Sequence, residues 1–297
     1  MSSNDWTLLV LLSSSIEQCQ SIEFLPLTST NEYTVYCCCE ETIYLCVNIL
    51  ELKAIVNLCY SYLFSKTHQE SSQLNVLTRV LLCCITECLT SWNIRRRLVL
   101  SKAIEISKEL QFVEVLLRLK PKSEQVFRYR RWLLNHEDQD KVHLTNEFNL
   151  CNQTAEKHFI NYASWLHRRW LMEHFKVDID EELERNYRWL ERNISDSSGF
   201  SFRAYLISKK VIDMNLIKQE LNDNGNLLKF YVDRESLWIY RQTLILLALN
   251  HFSPDQKRLL FTEELELEKQ FPGNFFSKRY FRFLNVLSSS DGKQYRN

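Results

Sequence analysis

An all-α array of helical hairpins is the fold this sequence predicts, and three observations predict it. First, an aromatic residue followed three positions later by Arg recurs six times, as Trp92/Arg95, Phe127/Arg130, Trp165/Arg168, Phe200/Arg203, Trp238/Arg241 and Phe276/Arg279. Second, the steps between anchors are 35, 38, 35, 38 and 38 residues, the kind of fixed period at which each unit buries its apolar face only against its neighbours. Third, 4 Gly and 4 Pro in 297 residues leave few positions for the tight turns of a β-rich fold. The expected architecture is a right-handed α-α superhelix, a crescent solenoid of about six hairpins with each anchor on a second helix. Leu98, Leu133, Leu171, Leu206 and Leu244 follow their anchors by six, and only the last copy departs, with Arg282.

Taken in order, the chain opens with an expected helix over roughly 3–19. An extended apolar segment, Phe24-Leu25-Pro26-Leu27, follows, and then a long apolar helix over 40–65. Together these make an N-terminal helical cap, residues 1–70, covering the solenoid's exposed end. The solenoid proper spans 71–287. Ser71 to Glu87 forms the first helix of the opening hairpin. In the next unit Ile106, Leu110, Val113 and Leu117 share one helical face, and Lys120-Pro121-Lys122 breaks the helix. Ser123 then caps the helix carrying Phe127. A looser helix runs from about Thr145 to His158, and Asn161 caps the helix of Trp165. Leu183, Tyr187 and Leu190 precede the break at Asn193 to Ser195, after which Asp196 caps the helix of Phe200. Met214 to Tyr231 leads into the Trp238 helix, with an interruption expected at Asn222 to Asn226. Ser253-Pro254-Asp255 places a cap, a first-turn proline and an acid in succession, and Phe271-Pro272-Gly273-Asn274 closes that helix. Residues 288–297 are polar and read as a disordered tail.

An aromatic ring and an Arg three apart lie on one face of a helix. The ring can fill the space between neighbouring hairpins, while the guanidinium stacks on aromatic surface and forks to carbonyls or a carboxylate of the adjacent unit. All twelve anchor residues therefore read as structural. Lys+Arg and Asp+Glu both number 37, so no global basic field drives binding to nucleic acid or an acidic membrane, and a protein partner fits better. The 10 cysteines include the run Cys37-Cys38-Cys39 and the cluster Cys83, Cys84 and Cys88, but no paired CxxC. They read as reduced thiols packed as small hydrophobes, with no metal site. Trp6 to Leu12 is apolar, yet Asp5 precedes it and no Lys or Arg lies in the first 20 residues. A cytoplasmic protein without membrane insertion is expected.

Asn161-Tyr162-Ala163-Ser164-Trp165-Leu166-His167-Arg168-Arg169-Trp170-Leu171 closely resembles the repeat of protein prenyltransferase alpha subunits. Trp92-Asn93-Ile94-Arg95-Arg96 and Ser123-Glu124-Gln125-Val126-Phe127-Arg128-Tyr129-Arg130-Arg131-Trp132 look like further copies, and the resemblance covers about residues 71–284. Within the family, Ser195 to Arg203 and Arg234 to Arg241 are similar to repeats of the repeat-containing protein 1 group. In departure from the pattern, the Asn four before the anchor is kept only at Asn161, and Phe replaces Trp in three copies.

The resemblance implies an alpha subunit that wraps a separate beta subunit, which holds the zinc and the isoprenoid pocket. This chain would then carry no cofactor of its own. The implied partner is a Rab-type geranylgeranyltransferase beta subunit, and the implied acceptors include a Golgi SNARE. The family's lysine that reaches the isoprenoid diphosphate lies five before an anchor, which here is Lys122, and Tyr162 matches a family tyrosine of the diphosphate wall. Glu124 stands where the family has a second tyrosine, and Ala163 where it has a histidine. For Lys122 the alternative of a solvated turn lysine stays open. For the whole chain the alternative is a non-catalytic, tetratricopeptide-like protein-binding scaffold, which has no reason to contain Lys122 and the Asn-Tyr…Trp…His-Arg-Arg pattern.

Overall fold

Residues 3–25, 34–37, 43–65 and 69–294 are described in a computed structural model, and among them are fourteen α-helices and one three-stranded sheet. The chain packs as two compact units, Met1–Arg168 and Arg169–Asn297.

The first unit holds α1 (Ser3–Gln18), β1 (Ser21–Leu25), β2 (Thr34–Cys37), β3 (Ile43–Asn48), α2 (Leu52–Leu63), α3 (Ser71–Cys84) and α4 (Leu89–Leu100). After these come α5 (Ile106–Leu119), α6 (Glu124–Leu134), α7 (Leu144–Lys157) and the start of α8 (Tyr162–Phe175). Helices α3/α4, α5/α6 and α7/α8 make hairpins, with Trp92, Phe127 and Trp165 buried on the second helix of each. The N-terminal pieces share one core with them: Leu9, Leu12, Ile22, Leu45 and Ile55 join Leu77, Leu81, Val113 and Leu116.

Of the stretch expected as one apolar helix, 40–65, residues 40–42 lie outside the described ones, and the next six, Ile43–Asn48, are strand. Ile43 to Asn48 lies between β1, to which it is parallel, and β2, to which it is antiparallel. Leu45 and Val47, two apart, are both buried. β-Branched and aromatic residues favour such a pleat, and after a 3-10 turn at Ile49–Glu51 the α-helix begins at Leu52. Of the segments singled out in the sequence, Pro26, Leu27, Cys38 and Cys39 lie outside the described residues.

The second unit contains α9 (Ile179–Arg192), α10 (Ser197–Ser208), α11 (Met214–Phe230), α12 (Glu235–Leu249), α13 (Pro254–Glu266) and α14 (Phe275–Gln294). Caps act where the sequence put them. Asp196 accepts from the backbone N–H of Ser198 and Gly199, and Ser253 and Gln256 form a capping box. Two boundaries differ from expectation. Helix α11 runs unbroken through Asn222 to Asn226, because buried Asn224 donates to the Leu237 carbonyl and accepts from Arg241. Helix α14 continues to Gln294, into the stretch read as a disordered tail.

The sixth copy is also out of phase with the sequence reading. Phe276 is half-buried, and Arg279 is a 61%-exposed side chain paired with Glu235 on the surface. The large buried side chains there are Tyr280, Phe281 and Leu284. In the earlier copies the residue two after an anchor packs on the preceding anchor: Tyr129 on Trp92 at 4.6 Å, His167 on Phe127 at 5.1 Å and Tyr240 on Phe200 at 5.1 Å. Tyr280 packs on Trp238 at 5.5 Å in the same way. The anchor position of the last copy is therefore Lys278, two residues later, and Asn274 stands four before it as the cap whose Oδ1 accepts from Ser277 N–H. Phe276 and Arg279 matched the period by coincidence.

Candidate functional site

Each repeat joint is built around one arginine. The Nε and Nη2 of Arg130 donate to the two oxygens of Glu147 at 2.7 and 2.6 Å, those of Arg203 to Glu220 at 2.8 and 2.7 Å, and those of Arg241 to Glu264 at 2.7 Å each. Arg95 makes the same fork to Glu109. In all four, Nη1 turns the other way and donates to a carbonyl 20 residues earlier, on the first helix of the same hairpin: Asn75, Leu110, Leu183 or Leu221. Arg168, also buried, donates to Asn152 Oδ1 at 2.6 Å and lies 5.0 Å over the Phe148 ring.

The glutamates are shared with the next repeat. Tyr240 donates its hydroxyl to Glu220 at 2.6 Å and Tyr280 donates to Glu264 at 2.6 Å, while His167 Nε2 lies 3.3 Å from Glu147. Burial pushes the Glu147 carboxyl up, but Arg130 and His167 outweigh it and hold the group at about 2. Burial also drives the imidazole of His167 below its ordinary value, so the ring is neutral at physiological pH. Each joint is thus a buried charge network that ties one hairpin to the next, with Tyr129 Oη left without a hydrogen-bond partner inside it.

A second row of contacts runs along the turns between the first and second helices. Asn161 Nδ2 donates to the Pro121 carbonyl at 2.7 Å, Ser236 Oγ to that of Ile194 at 2.6 Å, and Asn274 Nδ2 to Asp233 Oδ1 at 2.6 Å. Ser123 Oγ donates to Glu87 at 2.8 Å in the same direction. In every case a residue at the start of a second helix grips the turn one repeat back.

Lys122 lies in one of these gripped turns. It is exposed, between α5 and the Ser123 cap of α6, while Pro121 beside it is buried. Asn161 is fully buried, and its side chain is saturated: Nδ2 also donates to Thr154 O at 2.9 Å, and Oδ1 accepts from Ser164 N–H at 3.2 Å. This bond brings Lys122 and Tyr162, the sequence neighbours of the bonded pair, to one edge of the first unit. Tyr162, the first residue of α8, is 66% exposed. Glu124 does not oppose them freely, because it turns back along α6 to Arg131 at 2.6 Å. Ala163 is buried and offers no polar group. The edge therefore combines a cation, a phenol and the starts of two helices, all of which favour an anion.

The joint glutamates and the gripping role of Asn161 were missed in the sequence. The glutamates follow their arginines by 14, 17, 17 and 23 residues, a spacing too irregular to notice. A signal existed in the other direction, since Glu147 and Glu220 both lie 20 residues before the His or Tyr they bond. Cys19, Cys59, Cys83, Cys84, Cys88 and Cys151 are free thiols, and burial pushes Cys19 up to about 11 and Cys59 and Cys84 to about 12, so those three are protonated at neutral pH. Among the described residues no cluster of three or more His, Cys, Asp or Glu could hold a metal, and no helix is long and apolar enough to cross a membrane.

An α-α repeat array with charge-locked joints and a basic, phenolic turn edge defines the class of protein: a helical-repeat protein. The protein prenyltransferase alpha subunit repeat matches residues 106–137, 144–175 and 179–210. Those matches contain Lys122, Asn161 and Tyr162. The chain is 28% identical over 202 residues to human protein prenyltransferase alpha subunit repeat-containing protein 1, covering 59% of this chain and 50% of that protein. It is 25% identical over 257 residues to repeat-containing protein 1-A of Xenopus laevis, covering 77% and 58%. It is also similar to human geranylgeranyl transferase type-2 subunit alpha, at 28% over 192 residues, 57% of this chain and 33% of that one. The chain thus spans about half the length of the repeat-containing proteins it matches. Among solved structures, Candida albicans protein geranylgeranyltransferase-I complexed with GGPP aligns with a TM-score of 0.62 at 19% identity, covering 91% of this chain and 88% of that one. That likeness shows the fold, the α-α solenoid class expected from the period.

Proposed function

We propose that the chain is the alpha subunit of a heterodimeric protein prenyltransferase that transfers geranylgeranyl groups to cysteines of protein acceptors, together with a Rab-type beta subunit. The zinc that activates the acceptor thiol and the isoprenoid pocket belong to that partner in this reading, as do the choice of acceptor, a Golgi SNARE among them, and a cytoplasmic site of action.

This chain's own part is electrostatic. When the bond between the isoprenoid carbon and the diphosphate oxygen breaks, negative charge grows on the departing diphosphate. Lys122 supplies a cation for that charge, Tyr162 a phenolic donor, and Asn161 holds the turn so that the ammonium is in position beforehand. The single observation that carries the reading is the exposed Lys122 on a turn fixed by a buried asparagine, inside the matched repeats. One observation favours the scaffold reading, namely that the family's histidine beside Tyr162 is replaced by Ala163, which is buried.

The two readings separate on purification. The tagged chain, isolated from its own cells, is expected to carry a prenyltransferase beta subunit in one-to-one ratio, and the pair, but not the chain alone, to transfer a geranylgeranyl group. A chain that purifies without any such subunit, and whose omission leaves transfer by the purified beta subunit unchanged, is a scaffold.

A further inference from the structure

Arg79 on α3 breaks the rule the repeat arginines follow. In Arg95, Arg130, Arg203 and Arg241 the Nε–Nη2 edge of the guanidinium holds a carboxylate, and Nη1 takes a carbonyl. Arg79 is as deeply placed, at 6% exposure, and its Nη1 is likewise engaged, by Ser13 O at 3.5 Å, Ser13 Oγ at 3.3 Å and Glu17 at 3.1 Å. Its other edge holds nothing, and Nε is a buried donor without a partner. A buried N–H left unbonded is costly enough to require an explanation.

Beside it lies a cavity of about 550 Å³ between the end of α1 and the outer face of α5. That volume is in the range of small-ligand sites. Its lining includes three cations, Arg79, Lys108 and Arg118, and two carboxylates, Glu17 and Glu114, leaving one positive charge in excess. Arg118 is bonded to Glu114 and to the Gln20 carbonyl, and Arg79 to Glu17. Lys108 is exposed and takes part in no ion pair among the described residues. Phe112 supplies an apolar wall, with the Arg79 guanidinium 5.8 Å from its ring centre.

We propose that this cavity is a binding site for a monocarboxylate bearing an apolar group. The carboxylate takes the vacant edge of Arg79 once the side chain turns its buried Nε towards the cavity, Lys108 neutralises it from the mouth, and the apolar part lies along Phe112 and Val115. The fork of a guanidinium matches a carboxylate in two parallel bonds, which is the geometry the same edge adopts four times elsewhere in this chain. Glu17 guards the entrance against ligands with more than one negative charge. The site is separate from the Lys122 turn, and the inference does not depend on the chain's being a transferase subunit. A free metabolite and the C-terminus of a peptide present the same chemistry.

The full-length protein is titrated with 3-phenylpropionate and, in parallel, with its amide, followed by ligand-observed NMR. A second pair of probes, an acetylated dipeptide ending in phenylalanine and its C-terminal amide, distinguishes a peptide source from a free acid. The acid of at least one pair is expected to saturate with a Kd of about 1 mM or tighter, the range for a ligand of this size, and about tenfold tighter than its amide. Arg79→Lys keeps the charge that faces Glu17 but removes the fork, and is expected to weaken the acid about tenfold while leaving the amide and the melting temperature nearly unchanged. Should Arg79→Lys unfold the chain, Gln111→Trp, which fills the cavity from its rim, is expected to abolish binding of the acid. Equal binding of acid and amide, no saturation by either acid, or wild-type affinity in the cavity-filled variant overturns the proposal.

Discussion

Replacing Glu147 by Gln tests whether the repeat joints hold the array together. The carboxylate receives both arms of Arg130 at 2.7 and 2.6 Å and lies 3.3 Å from His167 Nε2, in surroundings where neither side chain of the Arg–Glu pair is more than 5% exposed. Glutamine keeps the shape but loses the charge, which leaves the Arg130 guanidinium buried opposite a neutral amide. Breaking a buried pair from one side costs about 3–5 kcal/mol. The carboxyl's own titration gives an independent magnitude. Its value falls from 4.5 to about 2 on folding. At roughly 1.4 kcal/mol per pH unit, that shift corresponds to about 3 kcal/mol of stability at neutral pH. Because the folded value lies below the unfolded one, this stability is fully present above 4.5 and is lost as the pH falls from 4.5 towards 2. His167, also lowered on folding, adds a loss that begins as the pH drops below its ordinary 6.5, where the unfolded ring takes a proton that the buried ring resists. Urea unfolding followed by circular dichroism at a series of pH values measures both. Glu147→Gln is expected to lower stability at pH 7 by about 3–5 kcal/mol and to flatten the limb between 4.5 and 2. A loss below about 1 kcal/mol with the acid limb intact would refute the argument, because that is the scale of an exposed pair.

Two further outcomes follow from particular placements. Tyr280→Ala is expected to destabilise the second unit by about 3–5 kcal/mol, since it empties a fully buried site against Trp238 and leaves Glu264 short of a donor. Arg279→Ala, which removes only a surface pair with Glu235, should cost less than about 1 kcal/mol, and a reversed order in thermal melts restores the phase read from the sequence. Asn161→Ala frees the Pro121 carbonyl and the start of α8. In the reconstituted pair it is expected to slow the chemical step about tenfold while KM for the acceptor stays put, because the turn beneath Lys122 loosens; a fall in stability with no change in rate makes Asn161 a packing residue only.

The fold and the candidate site were legible in the sequence to different degrees. The hairpin period was legible because a large ring and a guanidinium three apart must recur wherever hairpins stack, and five of six anchor pairs are buried on second helices. The sixth deceived because Phe276 and Arg279 satisfy the spacing while the packing register slips by two residues to Lys278 and Tyr280. The sheet was hidden for another reason. Ile43 to Val47 is a short apolar run, and such a run has the same composition in a buried strand as in a buried helix; only its pairing with β1 and β2 decides. At the candidate site, the residue types at Lys122, Tyr162 and Asn161 could be read from the motif. What could not be read is the bond across 40 residues that joins the Asn161 side chain to the Pro121 carbonyl, since one side chain and one backbone oxygen leave no paired signal in a single sequence. Nor did the sequence show that Glu124 is turned away to Arg131.

If this chain lends a cation to a reaction completed on a partner, the loss of Lys122 is where the rate reveals it. The most direct measurement is the single-turnover rate of geranylgeranyl transfer by the reconstituted alpha–beta pair, with Lys122→Ala compared against Lys120→Ala. Both lysines are exposed and flank the same proline, so solvation and net charge are matched. If Lys122 meets the charge growing on the diphosphate, its loss lowers the rate by about tenfold to a thousandfold, the scale for one electrostatic stabiliser, while assembly and diphosphate affinity change less. Lys120→Ala stays near wild type. Equal rates for the two variants would contradict the claim and return Lys122 to the solvated surface.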